Sequence, residues 1–147
     1  LFSKVLVPLE AADQSVNLDF ARTLAENLGS QLVLLRVVTV MASEEPFLQQ
    51  IQVEIGSSAA RKKAEAAEQT LVLERRLRAR GLNVHGTVVV SGRSEADAIV
   101  DYATSEGCDL IVMPTYRQSV LNRWFLGSLG EKVRQRSGVP VLFVKAP

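Results

Sequence analysis

The chain has one cysteine and one histidine, and no long uninterrupted apolar run. A single thiol, Cys108, excludes an internal disulfide and a cysteine-built metal cluster, and suits a reducing, cytoplasmic setting. A lone His85, beside Gly86 in an apolar stretch, excludes any His-pair metal site and points to a structural or surface histidine rather than a hydrolytic triad. The most apolar segment, Leu32 to Ala42, is broken by Arg36 and falls short of the roughly 20 residues that cross a bilayer. No membrane span is therefore expected. No charged segment precedes the first apolar run, so no signal peptide is read, and the missing initiator Met suggests a trimmed or excised chain. Net charge is also lacking: 17 Lys and Arg stand against 16 Asp and Glu. No overall field draws the protein to nucleic acid or an anionic surface. Neither a GxxxxGK[ST] phosphate loop nor a GxGxxG dinucleotide fingerprint occurs, which sets aside the ordinary P-loop and dehydrogenase readings.

What is present is a strand and helix alternation across 147 residues, a length that fits a single domain with its own core. Lys4 to Leu9 is a short aliphatic strand. Val16, Phe20, Ala21, Leu24, Ala25 and Leu28 recur at helical spacing between a capping Ser15 and Gly29. Gln31 to Val40 is too continuously apolar to be half exposed, as expected of a strand covered on both faces. Met41 to Ser57, with Pro46 and Gly56, is read as a connection, and Ser58 to Arg80 as a helix with Ala60, Ala64, Ala67 and Leu71 on one face. Val84 to Val90 is a third strand. Ser94 and Asp97 approximate a capping box for a helix closed by Gly107. Leu110 to Met113, a long loop, a helix over Ser128 to Arg136 and a last strand over Val141 to Val144 complete the pattern. Alternation of this kind predicts an α/β fold, a five-stranded doubly wound parallel sheet with helices on both faces.

Open sheets of this type bind ligands outside the carboxyl ends of their strands. Two loops matter: one after the first strand, carrying Glu10, and one after the fourth, running from Pro114 through Arg117 to Gly127 and Ser128. A loop feeding a helix at Gly127 and Ser128 has free N–H groups and a helix dipole to offer an anion, although Gly-Ser is also an ordinary helix start. Arg75, Arg76, Arg78 and Arg80 cluster where cations are favoured at a helix end. Arg123, Lys132, Arg134 and Arg136 lack the aromatic interleaving of a single-strand binder, so nucleic acid is not an expected partner.

The segment VLVPL before the first loop, the spacing Pro114, Arg117, Gly127–Ser128, Arg123 and Trp124 ahead of that pair, Glu131, Lys132 and Val133 after it, and the closing Val139 to Leu142 resemble the universal stress protein (UspA-like) family. The resemblance covers essentially the whole chain and implies a Rossmann-like adenine-nucleotide fold. In the family's ATP-binding members the fourth strand is followed by Gly, two residues, Gly, nine residues, then Gly and Ser or Thr. Here Pro114 and Arg117 replace the first two glycines, and Glu10 replaces the Asp after strand one. Pro114 has no N–H to donate and a φ fixed near about −65°. Arg117 puts a long cation where the motif has a hydrogen, either blocking the phosphate channel or binding phosphate itself.

The resemblance implies nucleotide-binding positions at Pro8, Glu10, Val38, Met113, Pro114, Arg117, Gly127, Ser128 and Leu129, with ATP or AMP and Mg²⁺ as the cofactors. It also implies a homodimer through Val141, Leu142, Phe143 and Val144. Three readings follow: a non-catalytic, dimeric stress-response regulator with impaired ATP binding; an ATP-binding member, at most slowly hydrolytic, using Gly127, Ser128 and Arg117 for phosphate; or a sensory domain excised from a larger protein such as a transporter. No catalytic residue and no metal ligand is expected.

Overall fold

The computed structural model describes residues 2–9, 15–40, 46–118, 123–125 and 127–144. The element order is β1 (Lys4–Pro8), α1 (Ser15–Leu28), β2 (Gln31–Thr39), α2 (Pro46–Arg78), β3 (Val84–Ser91), α3 (Glu95–Ser105), β4 (Leu110–Pro114), β5 (Tyr116–Gln118), β6 (Arg123–Phe125), α4 (Gly127–Arg136) and β7 (Val141–Val144). Five strands form one sheet in the order β3-β2-β1-β4-β7, and every pairing in it is parallel. The expected doubly wound α/β sheet is thus the observed architecture.

Strand alternation sends side chains to two separate cores. Val5, Val7, Leu32, Leu34, Val84, Leu110 and Val112 meet α1 and α2, through Ala21, Ala25 and Leu77. Leu6, Val33, Leu35, Ile111 and Met113 meet α3 and α4, through Ala96, Ile99, Ala103 and Val133. Both faces of the interior strands are therefore apolar, and β1, β2 and β4 read as near-continuous hydrophobic runs for that reason. Asp109 ties the start of β1 down: its carboxylate accepts from the backbone N–H of Ser3 at 2.8 Å and of Lys4 at 3.1 Å.

The structure corrects four sequence expectations. Part of the supposed connection over Met41 to Ser57 is helical, because α2 begins at Pro46. Proline breaks a helix interior but suits its first turn, where its missing N–H would be unpaired anyway. Residues 41–45 lie outside the described residues. The buried face of α2 is Ala66, Thr70 and Leu77, whereas Ala60, Ala64, Ala67 and Leu71 are exposed. Alanine is abundant here for its helix propensity and so does not mark the inner face. Ser15 lies within the first turn of α1, and Leu28 at the end of that helix is 50% exposed. The long loop after β4 holds a two-stranded antiparallel sheet, β5 with β6.

Other local signals operate as read. Ser94 caps α3, its hydroxyl accepting from the Asp97 N–H at 3.2 Å. Gly29, Gly81 and Gly107 have positive φ just beyond the ends of α1, α2 and α3.

Candidate functional site

The chain winds from β1 outward to β3 on one side, then returns to β4 and β7 on the other, so β1 and β4 flank the switch point. Their ladder covers Val5↔Leu110 and Leu6↔Ile111, at the amino-terminal half of β1. By contrast β1 pairs with β2 along its whole length, to Pro8↔Leu35. The carboxyl ends of β1 and β4 are where a crevice opens. Pro8 closes β1 and is buried, Val38 lies one residue from the end of β2, and Met113 and Pro114 end β4. Glu10 lies outside the described residues.

From β4 the chain enters the hairpin almost at once. Pro114 still pairs with Val144 of β7. Thr115, 8% exposed, donates its N–H at 2.8 Å and its hydroxyl at 3.1 Å to the Val144 carbonyl. Tyr116 then pairs with Phe125, Arg117 with Trp124 and Gln118 with Arg123. Arg117 therefore sits in an antiparallel strand. The positive φ open to a glycine is not used there: among the described residues Phe2 alone of the non-glycines has one. Gly127 does have it, at φ 75°, as the first residue of α4. Ser128 is exposed and Leu129 half-buried against the α3/α4 core.

The structure thus gathers Pro8, Val38, Met113, Pro114 and the head of α4 at the carboxyl end of the sheet. Sequence reasoning missed Thr115 as the clamp between β4 and β7. It also missed a cavity of about 340 Å³ beside Val38, lined by Arg36, Thr39, Lys62, Glu65 and Gln69. Arg36 donates to the Gln69 side-chain oxygen at 2.8 Å. The signal was visible, since Arg36 is the charge that interrupts the apolar run of β2. Hydrogen-bonding groups at this end suit binding. Cys108 is 3% exposed at the opposite, amino end of β4, and desolvation above all holds its thiol above the ordinary 9.0. His85 is exposed on the edge strand β3. Among the described residues no group of three or more His, Cys, Asp or Glu side chains could hold a metal ion, and no helix is long and apolar enough to cross a membrane.

A parallel sheet ordered 3-2-1-4-7, with glycine at the head of the helix after the switch point, defines the Rossmann-like class of α/β proteins. Within that class the chain belongs to the universal stress protein family, whose model matches residues 1–145. It is 28% identical to universal stress protein MJ0531 of Methanocaldococcus jannaschii, over 100% of this chain and 84% of that protein. It is 29% identical to universal stress protein YxiE of Bacillus subtilis, over 99% and 100%. UspA of Lactobacillus plantarum superimposes with a TM-score of 0.79 at 20% identity, covering 97% of each chain. The Archaeoglobus fulgidus universal stress protein in complex with dAMP gives 0.64 at 19%, covering 98% of each. A universal stress protein in complex with cAMP gives 0.58 at 21%, covering 99% of this chain and 98% of that one.

Proposed function

We propose that this universal stress protein is a non-catalytic regulatory module of the stress response whose phosphate-binding end is impaired. The observation that carries the reading is the pairing of Arg117 with Trp124 in the β5–β6 hairpin. A phosphate cradle needs backbone N–H groups converging on the anion, with glycine where the main chain approaches closely. Pro114 supplies no N–H, and Arg117 is held in extended pairing rather than at the positive φ that a glycine opens. The adenosine end keeps apolar groups suited to a flat base at Pro8, Val38 and Met113, and Glu10 offers a carboxylate to a ribose hydroxyl. The module works as a dimer through Val141, Leu142, Phe143 and Val144: β7 is a sheet edge, and its Leu142 side chain is 38% exposed.

One observation favours a second reading, in which an adenine nucleotide binds with its phosphate at Gly127, Ser128, Leu129 and Arg117. Gly127 has positive φ at the head of α4, where N–H groups and the helix dipole favour an anion. Two fold neighbours are complexes with the monophosphates dAMP and cAMP. In this reading Mg²⁺ accompanies ATP.

Calorimetric titration of nucleotide-stripped protein with ATP and Mg²⁺, and separately with AMP, tests both. No heat from the native chain, and binding gained in the Pro114→Gly/Arg117→Gly double variant, is the expected result. Micromolar binding by the native chain that is lost in Arg117→Ala sinks the regulatory reading and makes Arg117 the phosphate ligand.

A further inference from the structure

Strand β3 ends the sheet on the side away from β7. The Leu32 N–H donates to the Asn83 carbonyl at 2.9 Å, and the Val40 N–H to the Ser91 carbonyl at 2.8 Å. The odd-numbered residues of β3 thus turn their main-chain groups toward β2. By alternation Gly86, Val88 and Val90 turn theirs outward, and among the described residues no strand receives them. The Val84 carbonyl, one step earlier, is taken by Arg78 Nε at 2.8 Å.

Beside this edge lies a groove of about 380 Å³ between α2 and β3, bordered by Lys63, Ala67, Leu71, Glu74, Gly86 and Val88. Leu71 on its border and Val90, further along β3, are each 41% exposed. These features are complementary to themselves. A two-fold axis through Val88 pairs the edge antiparallel with its own copy, as an isologous contact requires. Val88 then lies opposite Val88 of the second copy, and each exposed Val90 lies opposite a Gly86, which has no side chain. Glu74 lies beside Gly86, with Oε2 3.5 Å from where a Cβ would stand, and Lys63 borders the groove eleven residues earlier on α2. Reversal about the axis brings Lys63 of each copy toward Glu74 of the other. Opposite charges thereby meet at both ends of the paired edges, and each Val90 lies over a strand position whose side-chain space Thr70 of α2 already fills.

We infer that two copies of this chain associate through antiparallel pairing of their β3 edges. This contact is separate from the β7 interface and independent of nucleotide.

Cross-linking tests it, because Cys108 is buried and Val88→Cys brings two thiols together across the proposed axis. Mild oxidation of Val88→Cys is expected to give a covalent dimer on non-reducing electrophoresis, while Asp101→Cys, exposed on α3, gives none. Lys63→Glu or Glu74→Lys in the Val88→Cys background lowers the yield several-fold, and mixing the two restores it, which excludes misfolding as the cause. Leu142→Lys on β7 leaves the yield unchanged. If Val88→Cys stays monomeric while Leu142→Cys cross-links, self-association is confined to β7 and the inference is overturned. A Val88→Cys dimer indifferent to both charge reversals overturns it as well.

Discussion

Arg136, the last residue of α4, donates to the Asp97 carboxylate in the first turn of α3 at 2.7 Å. The pair joins the two helices that cover one face of the sheet. Hydrogen bonding from the Ser94 side chain, followed by Arg136, holds the Asp97 carboxyl below its ordinary 3.8, against an opposing desolvation. A carboxyl whose folded value is lowered stabilises the fold above its unfolded value and loses that contribution as pH falls through the folded one. Asp97→Asn is therefore expected to be less stable than the native chain at neutral pH. Urea unfolding at a series of pH values should show the gap closing below 3.8. A gap independent of pH would remove the ionised carboxylate from the account.

Helix α2 lies unusually close to β3 at one point. A Cβ on Gly86 would stand 2.6 Å from Thr70 Cγ2, and Thr70 is 3% exposed, with its hydroxyl on the Ala66 carbonyl at 2.7 Å. A stiff β-branched side chain held by that bond cannot swing away. Gly86→Ala is expected to cost about 1–3 kcal/mol, the usual range for overpacking. Adding Thr70→Ser, which removes the clashing methyl and keeps the hydroxyl, should return part of the loss in a denaturation midpoint.

Gly127 adopts φ 75° where α4 begins. Gly127→Ala forces a Cβ into the left-handed region, at about 1–2 kcal/mol. Thermal unfolding should register this whether or not a nucleotide binds. A simultaneous loss of AMP binding in calorimetry would assign the head of α4 to phosphate as well.

Cys108 is buried, and desolvation raises its pKa. The thiolate, not the thiol, attacks labelling reagents. Labelling at pH 8 is expected to follow unfolding, slow in native buffer and immediate in denaturant. Rapid labelling of the native protein would mean that the end of α3 opens.

The fold was legible because β1, β2 and β4 are covered on both faces, and two-sided burial demands the uninterrupted apolar runs at Val5–Val7, Leu32–Leu35 and Leu110–Met113. Helix α3 was equally clear: Ser94 and Gly107 act through bonds to residues a few positions away. The inner face of α2 was not, because apolar alanines occupy its exposed side while the buried side includes polar Thr70. The hairpin after β4 escaped notice because its two three-residue strands are too short to show a period.

At the candidate site, Gly127 and Ser128 were visible as a helix start and Pro114 as a lost donor, since those properties belong to single residues. The carboxyl-end position of Pro8, Val38 and Met113 came from family resemblance, and the sheet order supplies its reason. Thr115 and the Arg36–Gln69 cavity were hidden, because their meaning lies in partners 29 and 33 residues away.

Sequence alone determined the class of fold, the family, and the departures at Pro114 and Arg117, because periodicity, capping and residue identity are local. Only the tertiary structure decided where those residues sit and which surfaces are open. The order of strands makes β3 and β7 the edges, and the packing of α2 on β3 sets Gly86 against Thr70. Each of these joins residues by distance in space, which no single stretch of sequence encodes.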